Sequence, residues 1–284
     1  MIKGPELHEL PALIGLVRGQ NVLLSADVTR LAWIHRRLGT ERVPTLLLDA
    51  FLARLGPEGT LVVPTFNFDL QDGETYDRVL TRPITGAVPT AAMAHPAFGR
   101  TRHPLHSFAV SGRARERFLA LDDASSFSSG SPFALLRTDG FVVVGVDMEL
   151  DRAFSYFHHV EELEQVYYRR WQDRRIIYID QGVVTTRTYK LFAKRWGYAN
   201  RLCDLAPLLA EAGAMRSCDV EGTKILVVDV ALSHTVIDRD IREGHARSIV
   251  HFALRTWLRD LVFALRRRPP SRSHLQLASD AGTH

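Results

Sequence analysis

Three side chains that can move a proton together stand at regular spacing in the middle of the chain. Ser155, His158 and Glu161 fall at i, i+3 and i+6 of a stretch with helical patterning over 154–165. Residues three apart share a helix face, so a hydroxyl, an imidazole and a carboxylate would lie in a row. A carboxylate beside a histidine fixes its tautomer and raises its basicity, as a general base near neutral pH requires. Spacing alone also allows a plain surface pair of His and Glu. His159 and Glu162 enlarge the cluster without making a metal site. Adjacent helical residues point about 100° apart, so the two imidazoles do not converge as i, i+4 ligands do. No metal is expected.

The surrounding elements predict an α/β fold. Short apolar runs alternate with helical patterns. Strands are expected at 21–27 (NVLLSAD), 60–66 (TLVVPTF), 107–112, 141–146 (FVVVGV) and 224–230 (KILVVDV). Helices are expected at 45–55, 88–94, 154–165, 205–212 and 249–265, with Ser131-Pro132 opening another as N-cap and first turn. FVVVGV is the most β-rich apolar run and should lie inside the sheet. The histidine helix follows it, and sites in α/β sheets gather beyond the carboxyl ends of strands. A polar loop is expected at 67–85, and an antiparallel hairpin at 175–189 turning at Asp180-Gln181-Gly182. The expectation is one domain over 1–265, with a central mixed sheet flanked by helices and a hairpin insertion. A basic tail would follow over 266–284.

Composition excludes several classes. The 284 residues are 46% hydrophobic and 24% charged, which fits a folded globular chain. No apolar run approaches the roughly 20 residues that span a bilayer, and the first residues lack a signal-peptide core. Cys203 and Cys218 lack CxxC spacing, which fits a reducing cytoplasm. The net charge of +4 comes from scattered residues, apart from the run Arg266-Arg267-Arg268-Pro269-Pro270-Ser271-Arg272. That run reads as a solvated terminus, with attraction to RNA or membrane as the alternative. Neither nucleic acid nor membrane is expected as a partner, and monomer and homodimer stay open. The stretch SSGSP lacks the glycine spacing and lysine of a phosphate loop.

Four blocks then point to one family. FSYFHHVEE (154–162) resembles the T-x-x-H-x-x-E motif of the aminoglycoside 3-N-acetyltransferases, with Ser155 in the threonine position. GTLVVPTF (59–66), FGRTRHPLHSFAVSG (98–112) and SSFSSGSPFALL (125–136) resemble further blocks of that family, in the same order. The likeness runs from about residue 25 to 231. It implies acyl transfer from acetyl-CoA or another acyl-CoA to a small-molecule amine, within a ternary complex. His158 would be the general base and Glu161 would orient it. Thr65 would donate to the developing oxyanion or position the thioester, and Ser25, Ser107 and Ser155 would line the cofactor side. One of His103 and His106 would pack structurally near the site.

Charge bears on the acceptor. Polycationic aminoglycosides are recognised by many carboxylates, whereas Lys+Arg number 36 against 32 Asp+Glu. The stretch VYYRR (166–170) resembles relatives associated with polysaccharide or secondary-metabolite pathways. The acceptor expected is therefore an amino sugar or similar biosynthetic amine. The alternatives are a resistance enzyme and a non-catalytic descendant that binds CoA or a sugar. The acidic residues most able to reverse this reading are Asp69, Asp72, Glu74 and Asp77.

Overall fold

A computed structural model describes residues 4–266, so most of the basic tail lies outside the described residues. The strands are β1 (Asn21–Ala26), β2 (Thr60–Pro64), β3 (Thr75–Asp77), β4 (Gly99–Arg100), β5 (Phe108–Gly112), β6 (Val142–Val146), β7 (Arg169–Asp180), β8 (Val183–Lys194), β9 (Tyr198–Asn200), β10 (Met215–Val220), β11 (Thr223–Asp229) and β12 (Val250–Phe252). Seven of them form the main sheet in the order β10-β11-β6-β1-β2-β5-β4. β1 is parallel to β2 and β6, and the outer pairings are antiparallel. This is the mixed α/β sheet expected, with FVVVGV in its interior.

Burial on both faces explains the apolar runs. Leu23, Val62, Val110 and Val143 enter one core, while Val22, Leu24, Leu61, Val63, Val144 and Val146 enter the other. Strands covered on both sides read as continuous apolar stretches rather than alternating ones. The helix Val43–Leu55 covers the second face through Leu47, Leu48, Phe51 and Leu55.

Several expectations need correction. The helix expected over 154–165 is two pieces, Leu150–Ala153 and Phe157–Leu163. Phe154, Tyr156 and Phe157 are all buried. A regular helix would spread these three rings around its axis, so the chain turns to bury them all. Ser155 thus sits in the turn and not on the helix face, and its carbonyl accepts from His158 N at 3.2 Å. The loop expected at 67–85 contains β3, which pairs in parallel with β7. The hairpin is far longer than expected, because β7 and β8 pair over their whole lengths. Their outer ends, RRWQDR and KLFAK, show no clean two-residue alternation. The stretch 249–265 holds β12, paired with β9, before the helix Leu254–Arg266. Ser131 occupies the cap position, but its hydroxyl donates to Ser128 O at 2.7 Å instead of capping. The helix Val230–Arg242, capped by the Asp229 side chain, was not foreseen.

Two glycines permit close approaches. A Cβ at Gly145 would lie 2.9 Å from the Ala153 Cβ, so glycine lets the segment before the histidine helix settle onto β6. Gly112 has φ +100°, and a Cβ there would lie 2.1 Å from Gly59 O. Backbone cannot yield as a flexible side chain can. Gly112→Ala should therefore cost about 2 kcal/mol or more of stability. A urea-denaturation midpoint equal to that of the unsubstituted chain would contradict this account of β5.

Candidate active site

His158 and Glu161 lie one turn apart on the Phe157–Leu163 helix, which Phe157 and Val160 anchor in the first core. His158 Nδ1 is 2.6 Å from Glu161 Oε2. Glu161 is fully buried, and its other oxygen accepts from the Tyr168 hydroxyl at 2.8 Å. Arg169 Nη2 stands 2.7 Å from Glu161 Oε2 and 2.6 Å from His158 Nδ1. Nδ1 cannot both donate to the carboxylate and accept from the guanidinium. Donation to an ionised carboxylate is the stronger bond, so the proton belongs on Nδ1 and Arg169 donates to Glu161. The lone pair is then on Nε2. The side chain is 20% exposed, so the ring keeps an open edge.

Electrostatics agree with that tautomer. Burial would raise Glu161, but Arg169, His158 and Tyr168 outweigh it and hold the carboxyl below its usual range. Burial, followed by the Arg169 cation, lowers His158 to about 4 against the pull of Glu161. The imidazole is therefore neutral at pH 7, as a proton acceptor must be.

A second histidine chain stands behind Phe127, whose ring centroid is 5.2 Å from that of His158 and 4.6 Å from that of His106. His103 Nδ1 accepts from the backbone N–H groups of Leu105 and His106. Its proton is thus on Nε2, which donates to Ser126 Oγ at 3.3 Å. Ser126 in turn donates to His106 Nδ1 at 2.8 Å, leaving an N–H on His106 Nε2. Burial holds His103 near 4 and His106 well below its usual value. His103 thus fits the structural role expected of one member of the pair. His159 is buried with Nδ1 2.6 Å from Phe127 O, and so braces this wall.

Thr65 and Ser107 do come together, fully buried, with hydroxyls 3.0 Å apart. Arg100 ties them down, donating to Ser107 Oγ at 2.9 Å, Thr65 O at 2.9 Å and Asn67 Oδ1 at 2.7 Å. Their hydroxyls bond within this network and make no hydrogen bond to His158. Ser25, at the carboxyl end of β1, donates to Ala153 O at 3.1 Å and pins the segment leading to the site. Ser155 lies in the turn beside it. Arg169, Tyr168 and Arg100 were missed as site residues, although all three stood in the stretches that carried the resemblance. Among the described residues, no group of three or more His, Cys, Asp or Glu side chains is placed to hold a metal ion.

The sheet thus carries a His–Glu pair beyond the carboxyl end of a parallel strand. The family model for aminoglycoside 3-N-acetyltransferase matches residues 32–237, and the chain belongs to that family. Solved structures share the fold. The aminoglycoside acetyltransferase AAC(3)-Xa aligns at 22% identity and TM-score 0.72, covering 84% of this chain and 91% of its own. AAC-IIIb in a binary complex with CoASH aligns at 20% identity and TM-score 0.71, covering 84% and 95%. A histidine-to-alanine mutant of AAC(3)-IVa in complex with apramycin aligns at 20% identity and TM-score 0.67, covering 83% and 90%. The protein is an acyl-CoA-dependent N-acyltransferase, with acyl-CoA as co-substrate.

The buried histidines set a pH dependence of stability. His103, His106, His158, His159 and His234 are all lowered, in each case chiefly by burial. As pH falls below about 6.5, the unfolded chain takes up protons that the folded chain refuses, until near pH 4 for His103, His158 and His234, so stability drops across that window. Glu162, raised to about 6 by burial, acts in the opposite sense but is one group against five. The melting temperature should fall from pH 6.5 to pH 4, and a flat or rising profile would contradict these environments.

Proposed function

We propose that His158 is the general base and that the acceptor is a primary amine of an amino sugar or related biosynthetic metabolite. The observation that carries the first part is the His158–Glu161–Arg169 geometry, with Nδ1 committed to the carboxylate and Nε2 open. The acceptor amine attacks the thioester carbonyl carbon while Nε2 takes the proton it loses. The tetrahedral intermediate then collapses, the C–S bond breaks, and the imidazolium protonates the departing CoA thiolate. The products are an amide and CoASH. Glu161 holds the ring and stabilises the transient imidazolium. Thr65 and Ser107 remain in this reading as polar groups on the cofactor side, with Ser25 and Ser155 at the sheet's carboxyl edge. The hydroxyl of Thr65 would have to leave Ser107 to reach the oxyanion. His106 Nε2–H is a second donor already free of that network. Unpaired Cys203 and Cys218 support a cytoplasmic setting.

His158→Ala should lower kcat by about 100-fold to 10,000-fold in a chain that still folds. His159→Ala should act mainly on stability, because His159 braces the backbone of Phe127. Equal losses of kcat in two folded variants, or none for His158→Ala, would remove the assignment.

Charge pairing supports the acceptor reading. Glu161 is matched by Arg169, Glu164 by Arg242, Asp122 by Arg187 and Asp180 by Arg78. Three of the four acidic residues of 67–85 are also engaged. Asp72 pairs with Arg175, Asp77 accepts from the N–H groups of Val79 and Leu80, and Glu74 accepts from Gln71 N. Complementing a polycation takes unmatched carboxylates, and Glu161, Glu164, Asp122, Asp180 and Asp72 already face a cation. The resistance reading is favoured instead by the relative that holds apramycin. Steady-state kinetics should give higher kcat/KM for neutral amino sugars than for kanamycin- or gentamicin-type amines. Turnover of the polycations above roughly 10⁴ M⁻¹s⁻¹ would establish the resistance reading.

A further inference from the structure

The helix Leu254–Arg266 is built unlike the helices that cover the sheet. Leu254, Leu258 and Val262, each four residues from the next, are 63%, 49% and 44% exposed. They form one apolar stripe that no described residue covers. Even Trp257 and Leu261 are only half-buried. The helix is held to the body through Asp260, which accepts from Gly197 N at 3.1 Å, and through the β12–β9 pairing just before it. Exposed Phe252, whose ring contacts Tyr198, continues the apolar surface at the helix start.

Charge lies along one side of that stripe. Arg255 and Arg259 are exposed and fall about 100–140° around the axis from Leu254. In sequence, residues 254–272 carry six arginines (255, 259, 266, 267, 268 and 272) against the single acid Asp260. The family match ends at residue 237, so this element lies outside the matched region.

A partner must therefore offer an apolar phase bordered by negative charge. A second copy would bring its own arginines to the seam and, over 254–272, no acid beyond Asp260 to answer them. A nucleic acid would meet the arginines but give the leucines and valine no apolar medium. An anionic lipid surface offers both. We propose that this helix is an interfacial anchor lying in the plane of an anionic membrane, with Leu254, Leu258 and Val262 at the acyl boundary and Arg255 and Arg259 against the headgroups. Among the described residues no helix is long and apolar enough to cross a membrane, so the contact is peripheral.

The test is co-sedimentation of the full chain with vesicles of phosphatidylcholine alone or with about one-third phosphatidylglycerol, the anionic proportion at which polybasic attraction is strong. Binding to the anionic vesicles, weakened by high salt and accompanied by a blue shift of tryptophan fluorescence, is the expected result. Arg255→Ala with Arg259→Ala should weaken partitioning about tenfold or more. Leu258→Glu should abolish it while acyl transfer in solution continues. The salt and lipid-charge dependence of the unsubstituted protein decides the matter even where a variant fails to fold. No binding, or equal binding to both vesicle types, overturns the proposal. So does a concentration-dependent dimer that Leu258→Glu disrupts in a chain that ignores vesicles, or saturable binding to RNA in a chain that ignores them.

Discussion

A fully buried carboxylate holds this site together. Glu161 carries its charge away from water, which costs several kcal/mol unless partners replace the lost hydration. Tyr168 takes one oxygen, while His158 and Arg169 share the other. The partners come from two elements, since His158 stands on the same helix and Tyr168 and Arg169 at the start of β7. The charge therefore fixes how that helix meets the long hairpin. It also fixes which nitrogen of His158 faces outward. Replacing the acid would leave Arg169 as an unmatched buried cation, so the geometry of the base and the stability of this corner are one quantity.

The rest of the fold serves that corner at a distance. β6 delivers the chain to the sheet edge, Gly145 lets the next segment lie against the strand, and Ser25 pins that segment through Ala153 O. Rings then set the helix, with Phe154, Tyr156 and Phe157 all in the core. Phe127 separates His158 from the His103–Ser126–His106 chain, whose tautomers follow from two backbone N–H donors. Arg100 performs the matching task for Thr65 and Ser107. It is a buried cation answered mainly by carbonyl and amide oxygens, with a tyrosine ring beneath it.

What could be read from the residues followed from physical regularity. NVLLSA, TLVVP and VVVGV announced strands because burial on both faces demands unbroken apolar runs. His158 and Glu161 were legible because three residues make nearly one helical turn. Ser155 was misplaced because period alone does not show that three neighbouring aromatics must all reach the core. β3 is too short and the outer ends of β7 and β8 too irregular in pattern to read as strands, so pairing rather than pattern defines them. Arg169 was invisible as a site residue for the same reason. Its place beside Glu161 depends on contacts that no spacing rule connects.

Arg169 exerts two opposed effects on His158, and in the mechanism proposed above their balance defines the kind of base it would be. By keeping Glu161 ionised, the guanidinium secures the acceptor that holds Nδ1–H and leaves Nε2 free. By standing close to the ring, it also disfavours the imidazolium and helps bring His158 to about 4. A base so placed is weak but almost wholly unprotonated at neutral pH. Its availability is then no longer what limits the reaction there. A free alkylamine, being mostly ammonium at that pH, must shed a proton before it can attack. The pH dependence near neutrality should therefore follow the acceptor's ionisation, with the enzyme's own limb appearing only at acidic pH. Glu161 matters most after attack, when the ring has gained its proton and a fixed negative charge lies 2.6 Å from Nδ1. In that mechanism the buried carboxylate would contribute more to the transition state than to the resting site, which is the difference that accelerates a reaction.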